Sequence, residues 1–379
     1  MKEGWTYKKL GEVGITQTGT TPSKSNSENY GGNIPFIRPA EIPADGSGCI
    51  IYDTEIKLSE EGVKNGRLFK SGSILMVCIG SIGKLGYLDR DASCNQQINI
   101  LTPHNDYNSK FVFYAMSSPS FQKESLKIAQ GAQATLPIIN KSKWTNLTIP
   151  IAPLPTQQRI VSYLDTAFAQ IDALKAKAEK QLNEAKALFQ KTLAKAMEPK
   201  EGWEEKRLPD ISENLDSIRV PVTKKNRNGG IYPYYGASGI VDYVDDYLFD
   251  EDLLCISEDG ANLIMRTYPI AFPISGKVWV NNHAHVLRFN NMTTQKYIEY
   301  FFEGLKLDDY ITGAAQPKLT QKALNNIPIY IPSNIPDQHR IVAYLDSLSE
   351  KVKSLETNLN KVTAECAALK QSILRQVFE

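Results

Sequence analysis

The sequence predicts an α+β chain in which two strand-rich domains each feed one long helix. The stretch PTQQRIVSYLD (155–165) recurs as PDQHRIVAYLD (336–346), identical at eight of eleven positions and offset by 181 residues. Each copy opens a run without Pro or Gly, 156–197 and 337–379. The regions before the helices consist instead of short apolar, β-branched runs punctuated by Gly, Asn and Pro.

The duplication extends upstream in conserved order. KEGW occurs at 2–5 and 200–203. GGNIPFIRPAEI (31–42) is matched by GGIYPYYGASGI (229–240), and LFKSGSILMVCIGSIG (68–83) by LFDEDLLCISEDGANL (248–263). CNQQINIL (94–101) pairs with NNHAHVL (281–287), and GAQATL (131–136) with GAAQPKL (313–319). The expected division is 1–153, a first domain; 154–199, a central helical spacer; 200–333, a second domain; and 334–379, a C-terminal helical spacer. Within the domains, residues 74–79, 98–101, 147–151, 253–256, 278–280 and 327–331 read as strands, and 109–116 and 294–302 as short helices.

Thr156 and Asp337 stand where N-caps are expected, directly after Pro155 and Pro336. In the second helix Ile341, Leu345, Leu348, Val352, Leu355, Leu359, Val362, Cys366, Leu369 and Ile373 alternate by four and three, the spacing of a coiled-coil seam. The first helix offers Ile160, Leu164, Ala167, Ile171, Leu174 and Ala178 at the same spacing, then slips by an extra step to Leu182, Ala185 and Phe189, a stutter. At 1.5 Å per residue about 42 residues span roughly 60 Å, more than a domain is wide. These helices therefore read as spacers, expected to pair antiparallel with a pseudo-twofold between the domains.

A chain of 379 residues with 42% hydrophobic and 22% charged residues is an ordinary globular protein of more than one domain. It lacks a membrane-spanning apolar run and a signal peptide's apolar core, which points to the cytoplasm. Its five scattered cysteines form no CxxC pair and suggest neither a disulfide framework nor a zinc site. Net charge is +1, and even the most basic segment, 1–153, carries only 16 basic against 13 acidic residues. Nucleic-acid affinity would have to come from local clusters or be shared with partner chains.

Strings that mimic catalytic signatures fail at the residue that would do the chemistry. GSIGK (80–84) has Cys78 where a phosphate loop needs its first glycine and Leu85 where it needs Ser or Thr. NIPF (33–36) lacks the double proline with which aminomethyltransferases hold a flipped adenine, and no Gly-rich cofactor turn precedes it. Pro43, Asp45, Glu55 and Lys57 could be set out as a nuclease core, but the second repeat has no counterpart. His283 and His285 alternate on a strand as two metal ligands can. A third ligand is absent nearby, and the first repeat has Gln97 and Asn99 there, so a hydrogen-bonding role is expected and no metal.

Taken together, PTQQRIVSYLD and PDQHRIVAYLD with their proline-rich approaches, TGTTPSK (18–24), NIPFIRPAEI, GSIGK, CNQQINIL and GAAQPKL make the chain resemble the specificity subunits of type I restriction-modification systems over essentially its whole length. The second domain departs early, with SIRVPVTKK (217–225) in place of TGTTPSK and EDGANL in place of the glycine turn. The resemblance implies two target recognition domains on an antiparallel coiled coil, and a chain that is not itself an enzyme. It implies a partner set of asymmetric bipartite double-stranded DNA, two modification subunits and restriction subunits. S-adenosylmethionine, ATP and magnesium would be held by those partners, with no cofactor on this chain. A coiled-coil adaptor with two ligand-binding domains and no DNA role is the alternative.

Base reading needs Arg or Lys for guanine, Asn or Gln for adenine and Asp or Glu for cytosine, on loops or strand ends. On that basis the first domain's DNA contacts are expected at Thr20, Thr21, Ser23, Lys24, Arg38, Ser81, Lys84, Gln96, Gln97 and Gln133. In the second they are expected at Lys224, Lys225, Arg227, Tyr234, Tyr235, Ser238, Glu258, Asp259, Asn262, Arg266, His283, Gln316 and Lys318. The acidic stretch 242–252 is expected to face solvent or a partner, because phosphates would repel it.

Overall fold

A computed structural model describes residues 2–43, 48–130, 137–313 and 316–379. The chain divides into two compact units, Met1–Glu179 with Asn358–Glu379, and Lys180–Thr357, so each long helix contributes to both.

The first unit is built on a five-stranded sheet in the order Gly14–Thr18, Ile98–Pro103, Ile74–Val77, Leu85–Leu88, Cys49–Ile51. Period-two alternation gives this sheet two apolar faces. Ile74, Met76 and Leu101 pack with Phe111, Val112 and Trp144; Leu75, Val77, Ile98 and Ile100 pack on the other side with Ile37, Phe69 and Cys94. A smaller sheet joins Lys57–Leu58, Tyr30–Ile37 and Ser93–Cys94, and Thr6–Lys9 pairs antiparallel with Thr148–Ile151.

The second unit repeats the plan. Ser212–Asn214, Ala284–Phe289, Leu253–Ser257 and Ala271–Ile274 form an antiparallel sheet. Gly239–Val244, Tyr232–Gly236, Lys277–Val280 and Phe249–Asp250 form the second sheet, and Trp203–Lys206 pairs with Ile329–Pro332. The parallel pairing of Phe36 with Ser93 in the first unit recurs as Tyr234 with Trp279 in the second. KEGW thus leads each time into a strand that ties the start of its unit to the strand before the long helix.

The long helices run Leu154–Ala196 and Ile335–Phe378. Both begin earlier than the N-caps read from the sequence. Thr156 and Gln157 bond back to the Pro153 carbonyl, and the side chain of Asn334 accepts from the Asp337 amide at 2.9 Å. Pro155 and Pro336 sit inside the first turn, where a missing N–H costs nothing.

The repeated eleven residues fasten each helix to the domain before it, through the same side chains twice. Gln157 and Gln338 are buried. Gln157 donates to the Ala152 carbonyl and accepts from the Asn108 amide; Gln338 donates to the Pro332 carbonyl and accepts from the Thr294 hydroxyl. Asp165 accepts from Tyr114 at 2.5 Å and pairs with Lys110 at 2.8 Å; Asp346 accepts from Tyr300 at 2.6 Å, with Lys296 at 4.0 Å. Leu164 and Leu345 are fully buried.

Helix meets helix in both units. In the first, Phe168 lies under the Lys370 ammonium, Cys366 reaches the Ile171 carbonyl, and Asp172 pairs with Lys370 at 2.7 Å. In the second, Lys186 pairs with Glu356 at 2.6 Å, while Leu193 shares a cluster with Leu345. Numbers rise on one helix as they fall on the other, so within each unit the two segments run antiparallel.

Two expected seam residues lie outside this contact: Leu174 is 60% exposed and Leu369 is 49% exposed. In the first helix the covered line passes Leu164, Phe168, Ile171, Lys175 and Ala178, so the extra step falls at Phe168 rather than after Ala178. Phe168 is held there by the Tyr114 ring at 5.5 Å, edge-on, and by Lys370. Opposite, Lys370 replaces Leu369, its stem covered and its ammonium reaching Asp172. Leu174→Lys and Leu369→Lys are therefore expected to leave thermal stability within about 0.5 kcal/mol of the parent; a melting curve showing a larger loss would restore the uniform seam.

Candidate nucleic-acid interface

The loops named from sequence meet at one end of each main sheet. In the first unit the Thr20 amide bonds the Cys94 carbonyl, Thr21 donates to the Gln96 side chain, and the Asn95 amide bonds the Ile37 carbonyl. Lys84 reaches the Pro39 carbonyl at 3.0 Å, and the Gly80 amide bonds the Pro137 carbonyl. Segments 19–24, 37–41, 79–84 and 94–97 thus form one rim, on which Ser23, Lys24, Ser81 and Gln96 are exposed. Gln133 lies outside the described residues, as does Asp45. Arg38 is held by Glu41 through two hydrogen bonds and shields that carboxyl, so its guanidinium braces a turn.

The second unit builds a like rim, in which three backbone contacts recur. The Gly260 amide bonds the Pro317 carbonyl, the Asn281 amide the Tyr235 carbonyl, and the Glu258 amide the His283 carbonyl, repeating Gly80 to Pro137, Asn95 to Ile37 and Cys78 to Gln97. Gly80 and Gly260 both hold the left-handed backbone, φ +79° and +103°, that a tight turn at this point needs. The GSIGK string is this turn. Lys224, Lys225, Ser238 and Gln316 are exposed, and Lys318 and His283 are half-exposed.

Several expected contacts are engaged elsewhere. Tyr234 is 1% exposed, with Arg227 stacked on its ring at 4.3 Å and bonded to Asp242. Tyr235 is stacked on Phe272, and burial raises its phenol above the ordinary value. Asn262 closes its own loop through two bonds to Tyr268. Arg266, in the left-handed conformation at φ +52°, caps the carbonyls of Phe302 and Leu305. In the acidic stretch Asp242 is paired with Arg227 and Glu251 with Arg288, while Asp245, Asp246, Asp250 and Asp252 are exposed, as expected. Buried aromatics and guanidiniums that cap a helix end cannot read bases.

At the centre of the second rim lies a set of charges that sequence reading treated only in part. Arg219, 11% exposed, donates to Glu258 at 2.7 Å and to the Ala284 carbonyl at 2.6 Å, and lies 3.3 Å from Asp216. Asp216 faces His285 at 2.6 Å and accepts from the Val286 amide; the other His285 nitrogen meets the Leu319 carbonyl at 2.8 Å. Glu258 also takes Lys318 at 3.1 Å. Burial works against ionisation of both carboxyls, yet His285 holds Asp216, and Arg219 with His285 and Lys318 holds Glu258, below their ordinary values. Glu258 is therefore a brace and is not free to read cytosine.

Asp216, Glu258 and His285 bring ligand atoms within 4.8 Å of one another, a spacing compatible with a metal. The Arg219 guanidinium already bridges both carboxylates and both imidazole nitrogens have protein partners, so the set is an ion-pair node. His283, on the rim, pairs with Asp259 at 2.9 Å instead. The two histidines therefore do not converge.

A family model described as the type I restriction modification DNA specificity domain matches residues 2–184 and again 200–364. The chain belongs to this family. Over 389 residues it is 25% identical to the EcoprrI specificity subunit of Escherichia coli, covering 96% of this chain and 92% of that one. Shorter matches reach 33% identity over 144 residues to a putative specificity subunit of Haemophilus influenzae, and 32% over 148 residues to the HindI specificity subunit of the same organism. These cover 38% of this chain each time and 37% and 31% of those relatives, about a third of their length.

Among solved structures, a chain from a study of complex assembly and conformational transition of the type I restriction-modification system superposes with a TM-score of 0.74 at 17% identity, covering 100% of this chain and 98% of that one. The HsdS subunit of Thermoanaerobacter tengcongensis gives 0.52 at 18%, covering 100% and 97%. Both show the fold of the specificity family. Among the described residues no helix is long and apolar enough to cross a membrane.

The specificity-family rim was legible in the repeated loops, but its buried node was not. One signal could have exposed it: where the first domain has Thr18, Thr21, Cys78 and Asn99, the second has Asp216, Arg219, Glu258 and His285, four neutral residues replaced together by charged or titratable ones.

Proposed function

We propose that the chain is the non-catalytic DNA-recognition subunit of a type I restriction-modification complex, and that each rim reads one half of an asymmetric bipartite site. The observation that carries this is the contrast within the duplication. Three backbone contacts that build the rim recur in both units, while the side chains displayed there differ. One scaffold with two inscriptions suits two different half-sites. The long helices, about 65 Å each by their length, would fix the number of unread base pairs between them.

Partner docking is supported by the opposite face of the repeated motif. Gln157, Val161, Leu164 and Asp165 face their own domain, as do Gln338, Val342, Leu345 and Asp346. Arg159 and Tyr163, and Arg340 and Tyr344, are identical across the repeat yet point outward, both tyrosines 55% exposed. Two like surfaces suit two copies of one modification subunit, with restriction subunits joining them. Adenine flipping and methylation with S-adenosylmethionine, and ATP- and magnesium-dependent translocation and cleavage, belong in this reading to those cytoplasmic partners.

Tyr163→Ala and Tyr344→Ala are each expected to cost about 2 kcal/mol at one docking surface, roughly thirtyfold in affinity. Native mass spectrometry at limiting concentration should then show one modification subunit bound in place of two; two retained subunits in the double variant would reject these surfaces. The function itself is tested by mobility shift over random duplexes with the modification subunit present. A selected two-part sequence is expected, and absence of any selected duplex would refute the reading, leaving an adaptor role.

A further inference from the structure

We infer that the Arg219–Glu258–Lys318 chain is a positioning device that sets the base preference of the second rim alone. The inference rests on the specificity-subunit reading and deepens it. Four separated segments meet at the node: the turn after Ser212–Asn214, the end of Leu253–Ser257, the start of Ala284–Phe289, and the loop at Pro317–Leu319. The rim residues His283 and Lys318, both half-exposed, and Asp259, largely covered, are their immediate neighbours. Asp259 follows Glu258, His283 lies two before His285, and Lys318 precedes Leu319, whose carbonyl meets His285 and whose amide bonds the Glu258 carbonyl.

Glu258 joins buried and exposed chemistry. One carboxylate oxygen takes the covered Arg219, and the other takes the Lys318 ammonium, which is 49% exposed at the rim. A lysine so held has its charge in one place rather than swept through many rotamers, and base discrimination depends on donor position. The neighbouring backbone bridge between Asp259 and Lys318 fixes the adjacent carboxylate, which in turn orients His283. In the first unit Cys78 stands in the place of Glu258 with Ile138 opposite Ile79 at the same bridge, so no ion is positioned there. The two rims share backbone contacts and differ in whether a charge is locked at this place, since the fixed charges of the first rim, Arg38 on Glu41 and Lys84 on the Pro39 carbonyl, lie elsewhere on it.

The test uses the complete complex with its modification subunits and duplex pools in which one half-site is randomised while the other is kept. For Lys318→Gln, which leaves the buried node in place, the preferred sequence of the second half-site is expected to lose at least about tenfold in preference over single mismatches. The first half-site should stay within about twofold. Arg219→Gln should relax the same base positions. Arg219→Lys should not restore them, since an ammonium lacks the planar fork whose separate nitrogens reach Glu258 with the Ala284 carbonyl on one side and Asp216 on the other.

Unchanged preference in Lys318→Gln, or equal loss at both half-sites, would overturn the positioning role. Should Arg219→Gln fail to assemble, Lys318→Gln decides alone. If the parent complex selects no duplex, the specificity-subunit reading fails and this inference falls with it; if the parent selects two half-sites and the variants match it, only the inference fails.

Discussion

Asp216→Ala is expected to destabilise the second unit by about 3 kcal/mol, because it takes the hydrogen-bonded carboxylate from the buried His285 and the Val286 amide and leaves Arg219 with Glu258 alone. Hydrogen exchange resolved by residue should show the loss in strands Leu253–Ser257 and Ala284–Phe289 and leave strands Ile74–Val77 and Ile98–Pro103 protected as before. The same node makes the unit acid-sensitive. Asp216 and Glu258 have folded pKa values below their ordinary ones, so the unfolded chain takes up their protons first as pH falls. Their contribution is complete above the ordinary carboxylate range and is lost as pH drops through the folded values, that is, below about 4.

In the first unit the equivalent place holds Thr18, Thr21, Cys78 and Asn99. Burial pushes the Cys78 thiol up to about 12, so nothing there titrates on acidification. Among the described residues the first unit's lowered carboxyls are Asp53 and Asp91, in exposed pairs with Lys57 and Lys70 that contribute little, and Glu41, held by the partly exposed Arg38 alone. The second unit has instead two carboxyls linked through one covered guanidinium. Acid should therefore open the second unit first, and Asp216→Ala should flatten its pH dependence. Simultaneous opening of both units in exchange experiments between pH 5 and about 3 would contradict this.

The second large effect concerns the motif leucines. Leu164 and Leu345 are both fully buried where a long helix enters its unit. Truncation to alanine is expected to cost about 2–5 kcal/mol at either place. Leu345 packs with Phe189, Leu193 and Tyr300, so Leu345→Ala should also loosen the helix contact of the second unit and raise exchange in 180–196. Leu164→Ala should do the same for 358–378, where Leu374 and Phe378 share its core. Denaturant titration followed by tryptophan emission reports the first unit through the buried Trp144 and the second through Trp203 beside Tyr297. A loss below about 1 kcal/mol in both variants would mean that the repeated motif does not anchor the helices.

The duplication, the two helices and six apolar strands, among them Ile74–Val77, Ile98–Pro103 and Leu253–Ser257, could be read directly because they are local: a periodic run, a punctuating Gly or Pro, a string written twice. Ser109–Met116 falls where its pattern placed it. The first strand of each unit was missed because Thr6–Lys9 and Trp203–Lys206 are polar and largely exposed, with no alternation to reveal them. The seam failed at Leu174 and Leu369 because a heptad template assumes 3.5 residues per turn throughout. Phe168, drawn to Tyr114 and Lys370, shifts the covered face by a residue.

The rim was foreseeable as a set of loops, since Gly, Asn and Pro mark where strands end. Which of its side chains are free was not. Tyr234, Glu258 and Arg266 carry the residue types of base readers, yet Tyr234 is covered by Arg227, and the other two are claimed by partners far away in sequence: Arg219 is 39 residues from Glu258, and Phe302 is 36 from Arg266. Asp216 and His285, 69 residues apart, share a hydrogen bond that no spacing rule contains.

The most direct measurement of the central claim is a map of methylated adenines made by the assembled complex on a random-sequence DNA library. Two rims on one chain predict methyl groups only within a two-part sequence, its halves different and separated by a constant number of unread base pairs. Exchanging residues 200–333 for those of a relative should change one half and leave the other. Methylation at a single uninterrupted sequence, or at halves of variable separation, would contradict the account.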